Sequence, residues 1–289
     1  MTRPEQSTAG PLREILIGTS RLADDVSVLT TNLGWVIRDR QPFPSSAARE
    51  WRAPLSAGAA AVRLEPADGE LAGVRLVEIP AVPSYRPFQT PGWAAVELVV
   101  DLLDPLVDAV AASGAAQIVG RPAAIGDSGG LLRAAQIVLP GGAPLYLTEI
   151  NGQLGRFCLP RSDAGRASSP PRAAGAFIAV LAASALEPSR AFLIDHLGGE
   201  PMTDHLLAVG VLNRSFDLAA SVRHRVSTVQ LAGSSAIEVD QLPDGWSARP
   251  GAPGHLPPGV AGVEVCGNDD RLAVGPDGAL LRVVAVGAR

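Results

Sequence analysis

The sequence predicts an α+β fold of four repeated βαβββ-type units, paired into two barrel-like domains, with the last unit trimmed. Three observations predict it. A strand followed by a helix ending in Leu-Gly recurs at a constant offset of 164 residues, Gly34 to Gly198. A second strand-helix pattern lies inside the first half. The strand endings Val74-Arg75-Leu76-Val77-Glu78-Ile79 and Leu145-Tyr146-Leu147-Thr148-Glu149-Ile150 match each other. Self-similarity at a fixed period is the mark of a repeated supersecondary unit.

Unit one opens on the short strand 15–22. Leu22, Val26, Leu29 and Leu33 then recur at helical spacing, and Gly34 stops the helix. Segment 41–58 is a long connection, of a length found both in functional lids and in mobile loops. Unit two opens on strand 93–100. Asp104 is the predicted N-cap and Pro105 the first helical residue. Leu106, Val107, Val110 and Ala111 form the apolar face, and Gly114 ends the helix. Unit three opens on strand 176–182, followed by Leu186, Leu193 and Leu197 and the stop at Gly198; Asn32-Leu33-Gly34 matches His196-Leu197-Gly198. Unit four has strands near 260–265, 271–274 and 279–285. Only Gly267-Asn268-Asp269-Asp270 separates the first two, too short for a helix. The Ser/Pro/Arg stretch 161–174 reads as a linker, and the Pro/Gly-rich stretches 80–92 and 243–259 as loops. The expected domains are 12–150 (units one and two) and 175–286 (units three and four), with 151–174 between them.

The bulk numbers exclude several classes. A chain of 289 residues with 47% hydrophobic content can bury two cores. A net charge of -5 and the absence of a basic stripe argue against nucleic acid. All 24 basic residues are Arg, which fits the codon usage of a GC-rich genome. Cys158 and Cys266 form no CxxC pattern, so neither a thiolate zinc site nor a disulfide framework is expected. The polar start Met1 to Pro11 does not resemble a signal peptide, and no run of about 20 apolar residues occurs. The expectation is a cytoplasmic protein without membrane contact, monomeric or homodimeric.

The Leu22-to-Gly34 and Leu186-to-Gly198 helices carry a resemblance, together with the hairpins Pro140-Gly141-Gly142-Ala143-Pro144-Leu145-Tyr146-Leu147 and Pro276-Asp277-Gly278-Ala279-Leu280-Leu281-Arg282-Val283. The chain resembles the two-domain, four-module members of the vicinal oxygen chelate superfamily, which includes glyoxalase I, bleomycin-resistance proteins and extradiol dioxygenases. The resemblance implies a concave pocket in each half-barrel. It also implies metal ligands at the start of a unit's first strand, usually His, and in its last strand, usually Glu. Counted from the Leu-Gly landmark, the first positions fall on Glu14, Ala95 and Ile178. The last-strand positions fall on Arg75, Tyr146 and Arg282, with Glu238 a candidate in unit three. None is His, and a first-row metal prefers imidazole together with carboxylate. The expectation is no metal and no cofactor. His196, His205, His224 and His255 read as surface or structural residues.

Strand alternation places Trp93, Ala95, Glu97 and Val99 on the concave face, with Ala94, Val96, Leu98 and Val100 under the helix. In unit one Glu14, Leu16, Gly18 and Ser20 face inward. The first barrel is therefore expected to hold Glu14, Glu97 and Tyr146 as catalytic candidates. Arg75, Trp93, Trp51, Tyr85 and Phe88 are the substrate-binding candidates. A carboxyl group in an apolar cavity can act as acid or base, Tyr146 could donate to an oxyanion, and Arg75 could hold a carboxylate. A structural ion pair between Arg75 and Glu14 or Glu97 is the competing reading. The second barrel offers Ile178, Val180 and Ala182 with Glu238 and Arg282. Three functions follow: a metal-independent lyase or isomerase acting on an apolar, aromatic or polyketide-like molecule; a non-catalytic drug or metabolite binder; or a metal-dependent dioxygenase or lyase with ligands at other positions. Acids left unpaired in the pocket favour the first, and acids all paired to Arg favour the second.

Overall fold

The computed structural model describes residues 9–67, 71–126, 128–152, 158–160, 172–198, 200–201 and 204–285. Unit one begins with β1 (Leu12–Thr19). Ile15 and Ile17 pack on one side against Val26, Leu29 and Leu33, while Leu16 packs on the other with Phe43 and Trp51. Period-2 alternation is what divides the two sets. The helix α1 (Leu22–Ser27) widens into a π-type turn over Val28–Asn32, where Leu33 N donates to Val28 O. Gly34, at φ 72°, then turns the chain into β2 (Val36–Pro42). Segment 41–58 forms α2 (Ser45–Glu50) and a 3₁₀ turn (Pro54–Ser56), and its Phe43, Ala48 and Trp51 are buried on the concave side of the sheet. β3 (Ala60–Glu65) and β4 (Gly73–Glu78) complete the unit.

Unit two is β5 (Gly92–Val100), α3 (Leu103–Ser113), β6 (Gln117–Ala124), β7 (Leu132–Val138) and β8 (Pro144–Ile150). Leu103, Leu106, Val107 and Val110 are the buried face of α3, each contributing roughly 1.5–3 kcal/mol by leaving water. The N-cap residue is Leu102, not Asp104. Asp104 lies inside the first turn and its carboxylate accepts from Arg133 at 2.7 Å, so an ion pair to β7 takes the side chain that the cap would have used. Gly114 ends the helix at φ 62°.

Unit three is β9 (Ala173–Ala183), α4 (Leu186–Leu197), the short β10 (Glu200–Pro201) and β11 (His205–Leu207), α5 (Gly210–Ser215), β12 (His224–Gln230) and β13 (Ala236–Gln241). Unit four keeps three strands and no α-helix: β14 (Gly259–Gly267), β15 (Arg271–Val274) and β16 (Leu280–Ala285). The fold class is α+β as expected, with the trimmed last unit. Among the described residues no helix is long and apolar enough to cross a membrane.

The sheets pair the units differently from the expected 12–150 and 175–286. One seven-stranded sheet runs β15-β16-β14-β1-β4-β3-β2 and so joins units four and one. The other runs β10-β12-β13-β9-β5-β8-β7-β6, with β11 on β12, and joins units two and three. The junctions are antiparallel pairs of first strands: Glu14 opposite Glu264 in one sheet, Glu97 opposite Ile178 in the other. Each unit's first strand presents one open edge, and the repeat alone does not say which other edge it meets. The expected linker 161–174 falls mainly outside the described residues, and β9 already begins at Ala173. The sides of the two sheets that carry the helices share the largest core cluster, which includes Ile15, Ile17, Val96, Leu98 and Val263. The two concave faces carry separate clusters, and the candidate sites lie there.

Candidate functional site

In the seven-stranded sheet, Glu14 on β1 and Glu264 on β14 are register partners on the concave face. Each is engaged by arginine. Arg75 Nε on β4 donates to Glu14 Oε2 at 2.7 Å and its Nη2 to Oε1 at 3.3 Å; Arg63 Nε on β3 reaches Glu14 Oε1 at 2.9 Å. Arg282 Nη1 on β16 donates to Glu264 Oε1 at 2.8 Å, and its Nη2 reaches Glu50 Oε2 on α2 at 3.0 Å. Burial pulls the Arg75 guanidinium down, but its bonds to Glu14 and the charge of Glu14 outweigh this and hold it above its ordinary value. Burial raises the Glu264 carboxyl, and the nearby Glu14 charge raises it further, against Arg282 and Arg13. These side chains line a cavity of about 300 Å³, walled on the other side by Phe43 and Trp51. Trp51 packs against Gly262, where a Cβ would come 2.3 Å from the indole.

The nine-stranded sheet has a different chemistry on its concave face. Glu97 on β5 is 5% exposed and accepts a hydrogen bond from Thr148 Oγ1 on β8 at 2.5 Å. Glu238 and Asp240, two residues apart on β13, lie close by. Burial, then the charge of Glu238, pushes the Glu97 carboxyl up to about 8, with the Thr148 bond opposing. Burial raises Asp240 to about 7 and Glu238 well above the usual carboxylate range. Tyr146, directly opposite Glu97 in register, is pushed well above 10 by burial and by the three carboxyl groups. Phe88, at φ 69°, stacks on Tyr146 with ring centroids 6.4 Å apart. Val211 and Leu212 of α5 join the apolar cluster on this face. His224 bonds Asn213 Oδ1 at 2.6 Å in the interior beside it.

The expected single constellation is therefore split. Glu14, Arg75 and Trp51 share one cavity; Glu97, Tyr146 and Phe88 share the other face. Glu238, expected in the second barrel, joins Glu97, and Arg282 joins Glu14. Trp93 stands with neither group. A β-bulge between Trp93 and Ala95 breaks the alternation, so Trp93 leaves the concave row and donates Nε1 to Leu280 O at 2.7 Å. Tyr85 lies under the guanidinium of Arg249, 5.8 Å from its ring centroid. The sequence reading missed Glu264, Arg63, Thr148, Asp240 and Arg249. Glu264 stands in the alternating run Val263-Glu264-Val265, a signal hidden because unit four lacks the helix from which positions were counted.

Of the positions that the resemblance gives to metal ligands, Glu14, Arg75 and Arg282 stand in one sheet, where Glu264 faces Glu14. In the other, the register moves the counted position from Ala95 to Glu97, which stands with Tyr146, Ile178 and Glu238. These residues do not fit a metal. In the seven-stranded sheet the guanidiniums donate and cannot ligate, and Glu14 and Glu264 already accept hydrogen bonds from Arg75 and Arg282. Among the described residues no group of three His, Cys, Asp or Glu is placed to hold a metal ion.

No protein-family model matches the chain, and no curated protein matches it. Solved structures do. Glyoxalase I from Zea mays is similar at a TM-score of 0.61 and 13% identity, over 95% of this chain and 92% of that one. A mutant of the same maize enzyme gives 0.62 at 14% identity, over 97% and 94%. A Bacillus subtilis protein provisionally described as a dioxygenase gives 0.61 at 11% identity, over 96% and 86%. At these identities the likeness is one of fold, and it covers both sheets: the chain has a glyoxalase I-like fold.

Proposed function

We propose that the chain is a small-molecule binding protein that holds an apolar, partly aromatic compound bearing a negative group in the cavity of the seven-stranded sheet. The observation that carries this reading is that both carboxylates on the cavity floor, Glu14 and Glu264, are bonded to arginine. A carboxylate held by a guanidinium is a poor base, because proton uptake would break a charge-assisted pair. Four arginines, Arg13, Arg63, Arg75 and Arg282, stand against three acids, Glu14, Glu264 and Asp270, along the lining. Glu50 and Glu65 take further bonds of Arg282 and Arg63, so the cation left to meet an anionic group is Arg13, which forms no ion pair among the described residues, and Trp51 and Phe43 supply an apolar wall for the rest of the ligand. The test is calorimetric titration of the full chain with a panel of aromatic carboxylates. Arg75→Gln and Trp51→Ala should each weaken binding about tenfold or more. Unchanged affinity in both variants refutes the reading.

A second reading rests on Glu97. A carboxyl group raised to about 8 beside Tyr146 has the form of a proton donor working near neutral pH, as a metal-independent lyase or isomerase would need. Turnover of a substrate lost in Glu97→Gln but kept in Arg75→Gln supports this reading over the first.

A further inference from the structure

A second cavity, of about 170 Å³, opens where the start of β5 meets β14, and it shares no lining residue with the first. Arg249, from the Pro/Gly-rich loop before β14, forms part of its wall. The guanidinium Nη1 donates to Val260 O at 2.7 Å, Nε to Thr90 Oγ1 at 3.3 Å, and Nη2 to Trp93 O. These acceptors come from both sheets and all are neutral. Burial pulls the guanidinium down, and what opposes this is the Tyr85 phenol rather than a carboxylate. The acid in the cavity wall, Asp277, is committed elsewhere: it accepts from Ser184 N at 2.9 Å and from Ser184 Oγ at 2.7 Å. A guanidinium has five N–H donors, so the three bonds leave two for another partner. A cation partly withdrawn from water without a counter-charge carries a cost, and buried charges are ordinarily paired.

The surrounding wall is bare where a partner would sit. Gly92, at φ 102°, brings no side chain to the guanidinium: a Cβ there would touch Asp277 O at 3.5 Å and Nη2 at 3.6 Å. A Cβ at Gly251 or Gly278, both lining the cavity, would meet nothing within 4 Å. We propose that Arg249 anchors a second binding site, at the junction of the two sheets, for a small carboxylate. Its fork would donate the two remaining N–H groups to the anion, while the three existing bonds hold it in place. If Arg249 were only a clasp between the sheets, it would need its three acceptors and nothing more, and would not respond to anions.

The experiment replaces chloride by acetate at constant ionic strength and follows the full chain by thermal melting and by the arginine Nε–Hε NMR resonances. At acetate about ten times its dissociation constant, a rise of roughly 2–4 °C is expected. One Nε–Hε resonance, identified by its contacts to Thr90 and Tyr85, should titrate with the same constant. Arg249→Lys keeps a cation but loses the fork and should weaken the response at least about tenfold; Arg249→Gln should abolish it. Arg75→Gln, which disturbs only the first cavity, should leave it intact, so failure here and failure of the first site are separable. No acetate response in the wild-type protein overturns the proposal, as does a response that persists in Arg249→Lys or is lost in Arg75→Gln. If both Arg249 variants unfold, the wild-type Nε–Hε titration decides alone.

Discussion

Glu14 and Glu264 face each other across the β1–β14 ladder, and each is held by arginine from a neighbouring strand, Glu14 by Arg75 at 2.7 Å and Glu264 by Arg282 at 2.8 Å. Two buried carboxylates in register repel one another, and the guanidiniums offset that repulsion.

Removing one guanidinium should expose the repulsion. Arg282→Gln leaves Glu264 beside Glu14 with its hydrogen-bonded cation gone. Because Arg282 opposes the upward shift of Glu264, its loss raises that carboxyl further. A destabilisation of roughly 1–3 kcal/mol is expected at pH 8. It should shrink at pH 5, because a carboxyl group held above its ordinary value takes up a proton sooner as pH falls. Urea melts at the two pH values check this; an equal loss at both would mean the effect is packing rather than charge.

The other sheet predicts how stability varies with pH. Glu97 and Asp240 hold protons in the folded state up to about 8 and about 7, against ordinary values of 4.5 and 3.8. As pH rises through about 4–5 the unfolded chain releases these protons while the folded chain keeps them, so stability falls until the folded groups ionise as well. On the acid side, Asp104 and Glu187 are held low by hydrogen bonds from Arg133 and Arg225, and their contribution is lost only as pH drops below the ordinary carboxylate range. The melting temperature should peak near pH 5 and be lower by about 5 °C or more at pH 8.5. A flat or rising profile over that range overturns this account of the cluster.

The repeat was legible because it is written in spacing: Leu33-Gly34 and Leu197-Gly198 close their helices as expected, and Val96, Leu98 and Val100 pack on the helix-bearing side of their sheet. What spacing could not supply was pairing between units. Glu14 and Glu97 each looked like the inward residue of a first strand, and each is one. Their placement in different sheets depends on which strand edge meets which, a choice made by tertiary packing. Trp93 was misplaced by a bulge, which shifts the alternation by one residue without leaving a mark in the composition. Arg249 was illegible because its partners are mostly backbone carbonyls, some far away in sequence, and any residue type supplies those.

Glu97→Gln separates proton chemistry from structure. The amide keeps the size and can still accept from Thr148 Oγ1. At pH 6 the cost should be about 1 kcal/mol or less. At pH 8.5 the variant should equal or exceed the wild type, since it no longer needs a proton to stay neutral in the interior. Its stability should therefore depend on pH less than that of the wild type, by about one proton's worth of slope. Anion binding in the Arg75 cavity should be unchanged. If a substrate is found and its turnover falls about 100-fold, Glu97 is an acid–base group and the chain an enzyme.

Gly262 and Trp51 give the sharpest test of the first cavity's shape. Trp51 is 3% exposed and its indole rests on the Gly262 backbone of β14. A methyl group added there would lie 2.3 Å from Cζ3, so Gly262→Ala must push the ring away, into the space that the proposed ligand would occupy. Overpacking of this kind costs about 1–3 kcal/mol. The displaced indole should enter a more polar setting near Arg75 and Glu14, with a red shift in fluorescence, and affinity for an aromatic carboxylate should fall about tenfold or more. Pairing Gly262→Ala with Trp51→Leu removes the clash. That double variant should recover most of the stability, yet bind no better than Trp51→Leu alone, because the aromatic wall is gone. If Gly262→Ala binds the ligand as the wild type does while losing stability, Trp51 is a core residue and the ligand sits elsewhere.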